Sequence, residues 1–596
     1  MSSEHTFDFP KRTSTCGDLR LSDDGKDVVL NGWVENLRDH GGLRFVDFRD
    51  RYGMTQVVLD PKAKYTGEQS TLRSQFVVAV KGTVRARPEG MRNPKLPTGD
   101  IEVQANDLVI LNPSDVPPFE IATTDSEPGE EVRLKYRYLD LRRQAMQERI
   151  IRRAEVTRSI RSFLDGERFL DLETPLLTKS TPEGARDFLV PARNHEGKFF
   201  ALPQSPQLFK QLFMISGYDR YYQIARCLRD EDLRADRQPE FTQLDIEMAF
   251  IDEEDVYCLI DRLLAKLFGE ILGVEVKLPI RRMSYADAME QYGCDRPDVR
   301  FDLRLKDVSE IAASLEFNVF RSAVESGGRV RGIRVPQAKL SRKEISACEA
   351  VAKEAGAKGL AWVKLETDGP KGPIAKFLGD GADRRLAEAF GAEAGDLLLM
   401  VADKVNVTHA ALNEVRLHLG RKLGLMGSGR FEFLWVTDFP LLDWDEEEER
   451  WVAIHHPFTS PRSDDLALLD SDPGGVRSRA YDIVLNGLEL GGGSIRIHRS
   501  DIQEKVFSKI ALSSEEARQK FGFLLDALAY GAPPHGGIAL GLDRLAMLMT
   551  GTESIRDVIA FPKTARGNCL MTDAPSDPGA EQLRELGLEM APRQSP

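Results

Sequence analysis

The chain has 596 residues, 41% hydrophobic and 30% charged, with a net charge of −14. That composition excludes a disordered chain, and no run reaches the ~18 apolar residues that a membrane helix needs. A single core rarely grows past ~250–300 residues, so several domains are expected. Residues 1–12 include Glu4 and Asp8 and lack an apolar targeting stretch. The six cysteines, Cys16, Cys227, Cys258, Cys294, Cys348 and Cys569, form no C-x-x-C pair. A reducing cytoplasm without a zinc site or disulfide framework fits that spacing.

Taken in chain order, residues 15–112 read as β-rich. Short apolar or alternating runs at 27–34, 43–50, 55–60, 75–84 and 100–111 are broken by Gly, Asn and Pro, which suggests a small barrel. A Pro-rich linker follows at 112–119 (NPSDVPPF). The segment 133–153 holds Arg133, Lys135, Arg137, Arg142, Arg143, Arg149, Arg152 and Arg153. Net acidity does not forbid a local phosphate track here, and a solvated helix face fits equally well. Residues 142–166 have a near-3.6 apolar period and predict a helix. Strands are expected at 169–176, 220–225, 242–250, 433–439, 494–498 and 536–540, forming a mainly antiparallel sheet. Residues 300–425 are rich in Ala, Lys and Glu, with helical runs at 342–355 and 384–390 and strand-like runs at 359–365 and 397–402. They separate chemistry-bearing motifs and read as an inserted domain. The tail after Asp573 is expected to be loosely ordered.

Three motifs carry chemistry. Residues 225–244 (ARCLRDEDLRADRQPEFTQL) place four arginines and five acids between two apolar strands. A hairpin presenting fixed guanidinium forks suits a polyphosphate. Residues 482–498 (DIVLNGLELGGGSIRIH) set Asp482 and Glu489 seven apart around the turn-prone Asn486–Gly487 pair. Two carboxylates on adjoining strands can hold Mg2+ beside substrate phosphates, although a structural turn explains the pattern too. Arg496 and His498 alternate with isoleucines and are expected on one sheet face. Residues 536–551 (GGIALGLDRLAMLMTG) predict a strand meeting a helix, with Arg544 at the junction.

Together these motifs resemble motifs 2 and 3 of the class II aminoacyl-tRNA synthetases, and residues 166–175, ending in Pro175, resemble motif 1. Residues 180–193 (STPEGARDFLVPAR), 202–212 (LPQSPQLFKQL), 455–461 (HHPFTSP) and 561–564 resemble the aspartyl enzymes, and the 300–425 block resembles the insertion domain of their bacterial type. The resemblance spans about residues 14–575. It implies a multidomain α+β chain: an OB-fold anticodon-binding barrel (1–112), a hinge (113–140), a class II catalytic domain in two parts (141–299 and 426–573), an inserted α/β domain (300–425) and a tail (574–596). The implied reaction is ATP-dependent attachment of L-aspartate to tRNA through an aspartyl-adenylate, with Mg2+ as cofactor.

The resemblance also assigns residues. Arg229 would bridge the aspartate α-carboxylate and the ATP α-phosphate, with Asp230, Glu231, Gln238, Gly541, Leu542, Asp543 and Arg544 as further nucleotide contacts. Asp482 and Glu489 would hold Mg2+, and Arg229, Glu489 and Arg544 would be catalytic. Lys210 and Arg496 would bind the substrate side-chain carboxylate, helped by Glu183, Ser205, Gln207, Asp245 and His455. His456 would assist. Arg38, Phe45 and Gln56 would read the anticodon. His40 and Gly90 match the form that charges both tRNA-Asp and tRNA-Asn, whose product would feed an amidotransferase; restriction to tRNA-Asp stays open. A homodimer is implied through Pro175. The Lys210 and Arg496 pair argues against an asparagine enzyme, the insertion against a lysine enzyme, and the barrel against an amidating ligase built on the catalytic domain alone. A non-catalytic RNA-binding relative would be expected to lose Arg229, Glu489 or Arg544, and all three are present.

Overall fold

The computed structural model describes residues 9–122, 127–181, 185–379, 381–427 and 429–591. The chain divides into two compact units, Met1–Arg153 with Arg556–Asp577, and Ala154–Ile555 with Pro578–Pro596.

The first unit holds a closed barrel of β1 (Asp27–His40), β2 (Leu43–Asp50), β3 (Gly53–Leu59), β4 (Val77–Ala86) and β5 (Ile101–Asn112), in the order β1-β2-β3-β5-β4. Alternation builds it: Val28, Leu30 and Val34 of β1 and Val46 and Phe48 of β2 point inward, where they meet Val57, Val80 and Val103. The basic segment that follows is neither a phosphate track nor a solvated face throughout. Arg133, Arg137 and Arg143 all converge on the fully buried Asp140, at 3.1, 2.6 and 3.0 Å. Arg137 also donates to the carbonyls of Arg556, Ile559 and Ala560. Burying a carboxylate requires such partners, so these three arginines are committed internally.

In the second unit the chain forms β6 (Leu170–Asp171), the ribbon β7 (Leu189–Pro191) and β8 (Phe199–Ala201), then β9 (Arg220–Leu228), β10 (Glu240–Ala249) and β11 (Arg282–Ser284). The inserted region contributes β12 (Leu305–Asp307), β13 (Arg329–Val335), β14 (Ala361–Glu366), β15 (Gly369–Lys371) and β16 (Leu397–Asp403). Then come β17 (Phe433–Thr437), the hairpin β18 (Leu442–Asp445) and β19 (Arg450–Ala453), and finally β20 (Ala480–Leu485), β21 (Leu488–Ile495) and β22 (His535–Gly541).

The main sheet has eight strands in the order β11-β17-β20-β21-β22-β10-β9-β6. Its interior pairs are antiparallel and only the two edge pairs are parallel, in line with the expected mainly antiparallel sheet. Tyr222, Leu244, Ile246, Trp435, Tyr481 and Ile538 pack on the helix Glu253–Leu272. That helix starts at a capping box on Asp252 and stops at Gly273, whose φ is 67°.

The insertion is a five-stranded antiparallel sheet, β12-β13-β16-β14-β15. Strand β16 is buried on both faces, so it reads as an unbroken apolar run rather than an alternation. Leu397, Leu399 and Val401 meet the helices Arg342–Glu354 and Val405–Lys422, while Leu398 and Met400 meet Phe320, Leu386 and Phe390.

Three expectations are corrected. The strand expected over 169–176 shrinks to Leu170–Asp171, which pairs with Tyr221 and Tyr222 of β9; Pro175 has no amide hydrogen with which to extend that ladder. The strand expected over 494–498 is the end of Leu488–Ile495; Arg496 makes only an isolated bridge with Thr459, and His498 lies beyond it. In the tail, expected to be loosely ordered, the described residues include a short helix, Ala580–Glu585, with no buried residue.

Candidate active site

The second unit has a cavity of about 500 Å³ over the middle of the main sheet. It brings together Ser205, Gln207, Lys210, Arg229, Glu231, Gln238, Asp245, His455, Asp482, Glu489, Arg496, Gly541, Asp543 and Arg544, all expected from the sequence. Three expected residues differ. Asp230 faces outward and pairs with Arg186 at 3.7 Å. Leu542 is buried in the core. Glu183 lies outside the described residues. The cavity wall also includes Asp236, Asp295 and His456.

At one end lies an ion network. Strand β10 places Asp245 and Glu247 two residues apart, on one face. Lys210, on the helix Gln207–Ile215, reaches Asp245 at 2.6 Å and Glu247 at 3.2 Å. Arg496 grips Glu247 with Nε at 2.9 Å and Nη2 at 3.1 Å. Its Nη1 donates to Ser494 Oγ and to His456 Nε2, each at 2.7 Å. Both cations are about 2% exposed, so the network is desolvated and its charges are felt strongly.

Burial would raise the Glu247 carboxyl, but Arg496 and Lys210 outweigh it and hold it below the ordinary glutamate range. For Asp245 burial wins over Lys210, and its carboxyl is raised. Burial, and then the charge of Arg496, push the His456 imidazole far below its ordinary value, so it is neutral and accepts from Arg496. Glu247 was missed by the sequence reading. The signal was there: a strand destined for the core carried two acids, Asp245 and Glu247, at a spacing of two.

At the other end are the groups suited to a polyphosphate. Arg229 directly follows β9, and its guanidinium lies over the Phe241 ring at 5.2 Å. Its Nε is buried without a protein partner among the described residues. Arg544 stands in the first turn of the helix Leu542–Thr550, which β22 enters directly. It donates to the Glu489 carbonyl at 3.0 Å and to Asp236 at 3.2 Å. Asp543 accepts from the Thr242 amide at 2.7 Å and thereby ties that helix to β10.

The hairpin of β20 and β21 turns at Asn486 and Gly487, with φ of 54° and 83°. Both values are left-handed, the pattern of a tight primed turn. A register shift leaves Val484 opposite Glu489 and Asp482 opposite Gly492, so both carboxylates share a face. Gly492 keeps the space between them open, since a Cβ there would lie 2.3 Å from Asp482 Oδ1 and 3.8 Å from Glu489 Oε1. Burial, then the charge of Asp482, lift the Glu489 carboxyl above its usual range, and Arg544 opposes this. Among the described residues no cluster of three or more His, Cys, Asp or Glu gathers to hold a metal. Two carboxylates beside a cavity roomy enough for a nucleotide nevertheless fit Mg2+, which keeps several waters and takes the rest of its shell from substrate phosphates. Burial disfavours charge on His455, yet its bond to Asp482 at 3.4 Å, and the charges of Asp482, Glu489 and Asp295, hold it above the ordinary histidine value.

In the first unit, the expected base-reading residues share the outer face of the barrel. Arg38 pairs with Phe45 across β1 and β2, and Asp47 with Gln56 across β2 and β3. Phe45 is half-buried rather than a core residue, with His40 edge-on at 5.8 Å. Arg38 bonds Asp47 at 2.6 Å, and Gln56 bonds Glu102 at 2.8 Å. Gly90 has a left-handed φ of 84° with open space around it.

Sheet, barrel and cavity together define a class of protein. The family of class II tRNA synthetases (D, K and N) matches residues 129–565, and an OB-fold nucleic acid binding domain matches residues 28–111. The chain belongs to the class II tRNA synthetases of this group. Within it, the chain is 55% identical over 584 residues to an aspartate–tRNA(Asp/Asn) ligase of Desulfatibacillum aliphaticivorans, covering 97% of this chain and 98% of that one. It is 54% identical to the ligase of the same name from Caldanaerobacter subterraneus, with the same coverage. Among solved structures, the asparaginyl-tRNA synthetase of Pyrococcus horikoshii shares the fold, with a TM-score of 0.58 at 19% identity over 92% of this chain and 98% of that one. The aspartyl-tRNA synthetase of Entamoeba histolytica also shares it, with a TM-score of 0.54 at 16% identity over 91% and 89%.

Proposed function

We propose that this chain attaches L-aspartate to tRNA in two steps, activation with ATP to an aspartyl-adenylate and transfer to the terminal ribose, and that it serves both tRNA-Asp and tRNA-Asn. The observation that carries the reading is the buried Lys210, Glu247 and Arg496 network opening into the cavity that also presents Arg229, Arg544, Asp482 and Glu489. Two desolvated cations suit a second substrate carboxylate. That carboxylate would take the Nη1 side of Arg496, where neutral His456 now accepts. Asparagine would turn its neutral amide, with N–H donors of its own, toward the donors of Lys210 and Arg496, a mismatch that buried sites penalise strongly. Asp245 faces the same end and suits the substrate ammonium.

Arg229 would hold the α-carboxylate oxygen against the α-phosphate, and Arg544 the far end of the triphosphate. Positioning of this kind supplies most of the acceleration in phosphoryl chemistry. Asp482 and Glu489 would hold Mg2+, which when bound neutralises charge developing on the phosphate oxygens. The attacking group is the substrate carboxylate itself and pyrophosphate leaves, so no protein nucleophile is required. Glu231, Gln238, Gly541 and Asp543 would frame the nucleotide, and Ser205, Gln207 and His455 the amino acid.

For the RNA, Arg38, Phe45 and Gln56 would stack and bond anticodon bases on the outer barrel face. His40 stands against Phe45, and with Gly90 supports the wider tRNA range, as do the names of the relatives. A cytoplasmic homodimer whose Asp-tRNA-Asn passes to an amidotransferase completes the reading.

The test is aspartylation of purified tRNA-Asp and tRNA-Asn side by side. Comparable charging of both is expected. Charging of tRNA-Asp alone would remove the wider range, and charging of neither by folded protein would sink the ligase reading.

A further inference from the structure

The hairpin that carries Asp482 and Glu489 does not end in solvent. Its turn is gripped by both stems of the insertion. On the outgoing stem, the Asn486 side chain accepts from the Glu432 amide at 2.9 Å and donates to the Arg430 carbonyl at 2.8 Å. On the incoming stem, Asp298 is 2% exposed and abuts Gly487 so closely that a Cβ on the glycine would lie 2.9 Å from the Asp298 Cβ.

The incoming stem is itself held by one residue of the insertion. Arg416, on the helix Val405–Lys422, is fully buried. It donates to the carbonyls of Asp298, Phe301 and Leu303 at 2.5, 2.9 and 3.0 Å. Its guanidinium lies 4.0 Å from the Phe301 ring and 4.8 Å from Tyr292. The same stem carries Asp295 to the cavity wall, beside His455 and Glu489. A guanidinium fixed by three carbonyls and two rings sets the path of a loop far more tightly than packing alone.

We infer that Arg416 is a positioning residue for the nucleotide site: through the stem at 293–303 and the Asn486–Gly487 turn, the insertion fixes the placement of the Asp482 and Glu489 pair. The inference rests on the reading of that pair as the magnesium–nucleotide site. It gives the inserted domain a role inside the reaction. Coupling would run along contiguous packed groups, from the insertion helix to the stem, the turn and the carboxylates. Of the aspartate pocket, Lys210 and Asp245 stand on the helix Gln207–Ile215 and on β10, off that path, and Arg496 follows the far end of β21 from the turn.

The experiment measures binding in the full chain by calorimetry. The probes are the magnesium complex of a non-hydrolysable ATP analogue and, separately, L-aspartate. Arg416→Ala is expected to weaken the nucleotide probe by about ten-fold or more while aspartate binding stays within about two-fold, and Arg416→Lys to restore part of the loss. Asn486→Gly keeps the left-handed turn and removes both side-chain bonds to the outgoing stem. It should move nucleotide binding in the same direction, and it carries the test alone if Arg416→Ala does not fold. Unchanged nucleotide binding in a folded variant, or equal loss for both probes, would overturn the inference. Wild-type aspartate-dependent ATP–pyrophosphate exchange separates the two readings. Its absence would sink the ligase assignment, whereas exchange intact with no selective effect of the variants would sink only the coupling.

Discussion

Lys210 and Arg496 hold Glu247 in different ways. The lysine offers a single ammonium shared between two acids, whereas the arginine clamps one carboxylate with two parallel donors and leaves Nη1 facing His456 and Ser494. An ammonium cannot reproduce that planar fork. Arg496→Lys should therefore keep the fold's net charge and still raise the aspartate KM in ATP–pyrophosphate exchange by about thirty-fold or more, since losing a buried hydrogen-bonded charge contact to a ligand costs ~2–5 kcal/mol. The KM for ATP should move little. An aspartate KM within about two-fold of wild type would remove Arg496 from the pocket. At this scale the sequence was readable wherever a residue sat in a long contiguous motif, as Arg229 and Arg544 do. Glu247 escaped because its role depends on Arg496 and Lys210, which are far away in the chain and meet it only in the fold.

Among the elements, hydrophobic pattern decided what could be read. The barrel strands alternate along part of their length, most clearly β1 over 27–34 and β4 over 80–85, and the predicted runs lie within about two residues of β1, β2, β3, β4 and β5 at most ends. The exception is β1, which continues to His40 because its outer half carries Arg38 and His40 rather than apolar residues. Strand β16 was legible as an apolar run, but what anchors it was not. Asp396, fully buried just before it, accepts from the amides of Gln337 and Glu393 at 2.9 Å each and from Arg334 Nε at 2.6 Å. Burial raises its carboxyl, yet these donors outweigh burial and hold it below the ordinary aspartate range. A carboxyl depressed in the folded state contributes its full stabilisation above the unfolded value of ~3.9 and loses it as pH falls through the folded value. Asp396→Asn should thus destabilise the second unit by about 1.5–3 kcal/mol at neutral pH. In thermal melts the gap to wild type should narrow below about pH 4. A gap independent of pH would show that Asp396 acts through shape rather than charge.

For the molecule as a whole, the sequence reading reached the homodimer only through resemblance, because an interface is a surface property and strand patterns do not record which exposed faces adjoin. The fold offers a surface on which the homodimer reading can be tested. The ribbon β7–β8 pairs Leu189 with Ala201 and Pro191 with Phe199, and Thr178 bridges to Ala201, so the segment after Pro175 runs beside the ribbon. Leu176, Leu177, Leu189, Phe199 and Phe200 are all exposed there, Leu189 to 58%. Single exposed apolar residues are ordinary, but several large ones on neighbouring segments are where an association surface is expected. A homodimer that uses it would be isologous, each copy placing the same patch against its partner. Placing a carboxylate in the middle of such an interface leaves a buried charge on both sides of the twofold axis. Leu189→Glu combined with Phe199→Glu should shift sedimentation at micromolar concentration from dimer to monomer, with the far-ultraviolet circular dichroism of the wild type retained. A wild-type chain that sediments as a monomer, or a double variant that still sediments as a dimer, would place the interface elsewhere or nowhere.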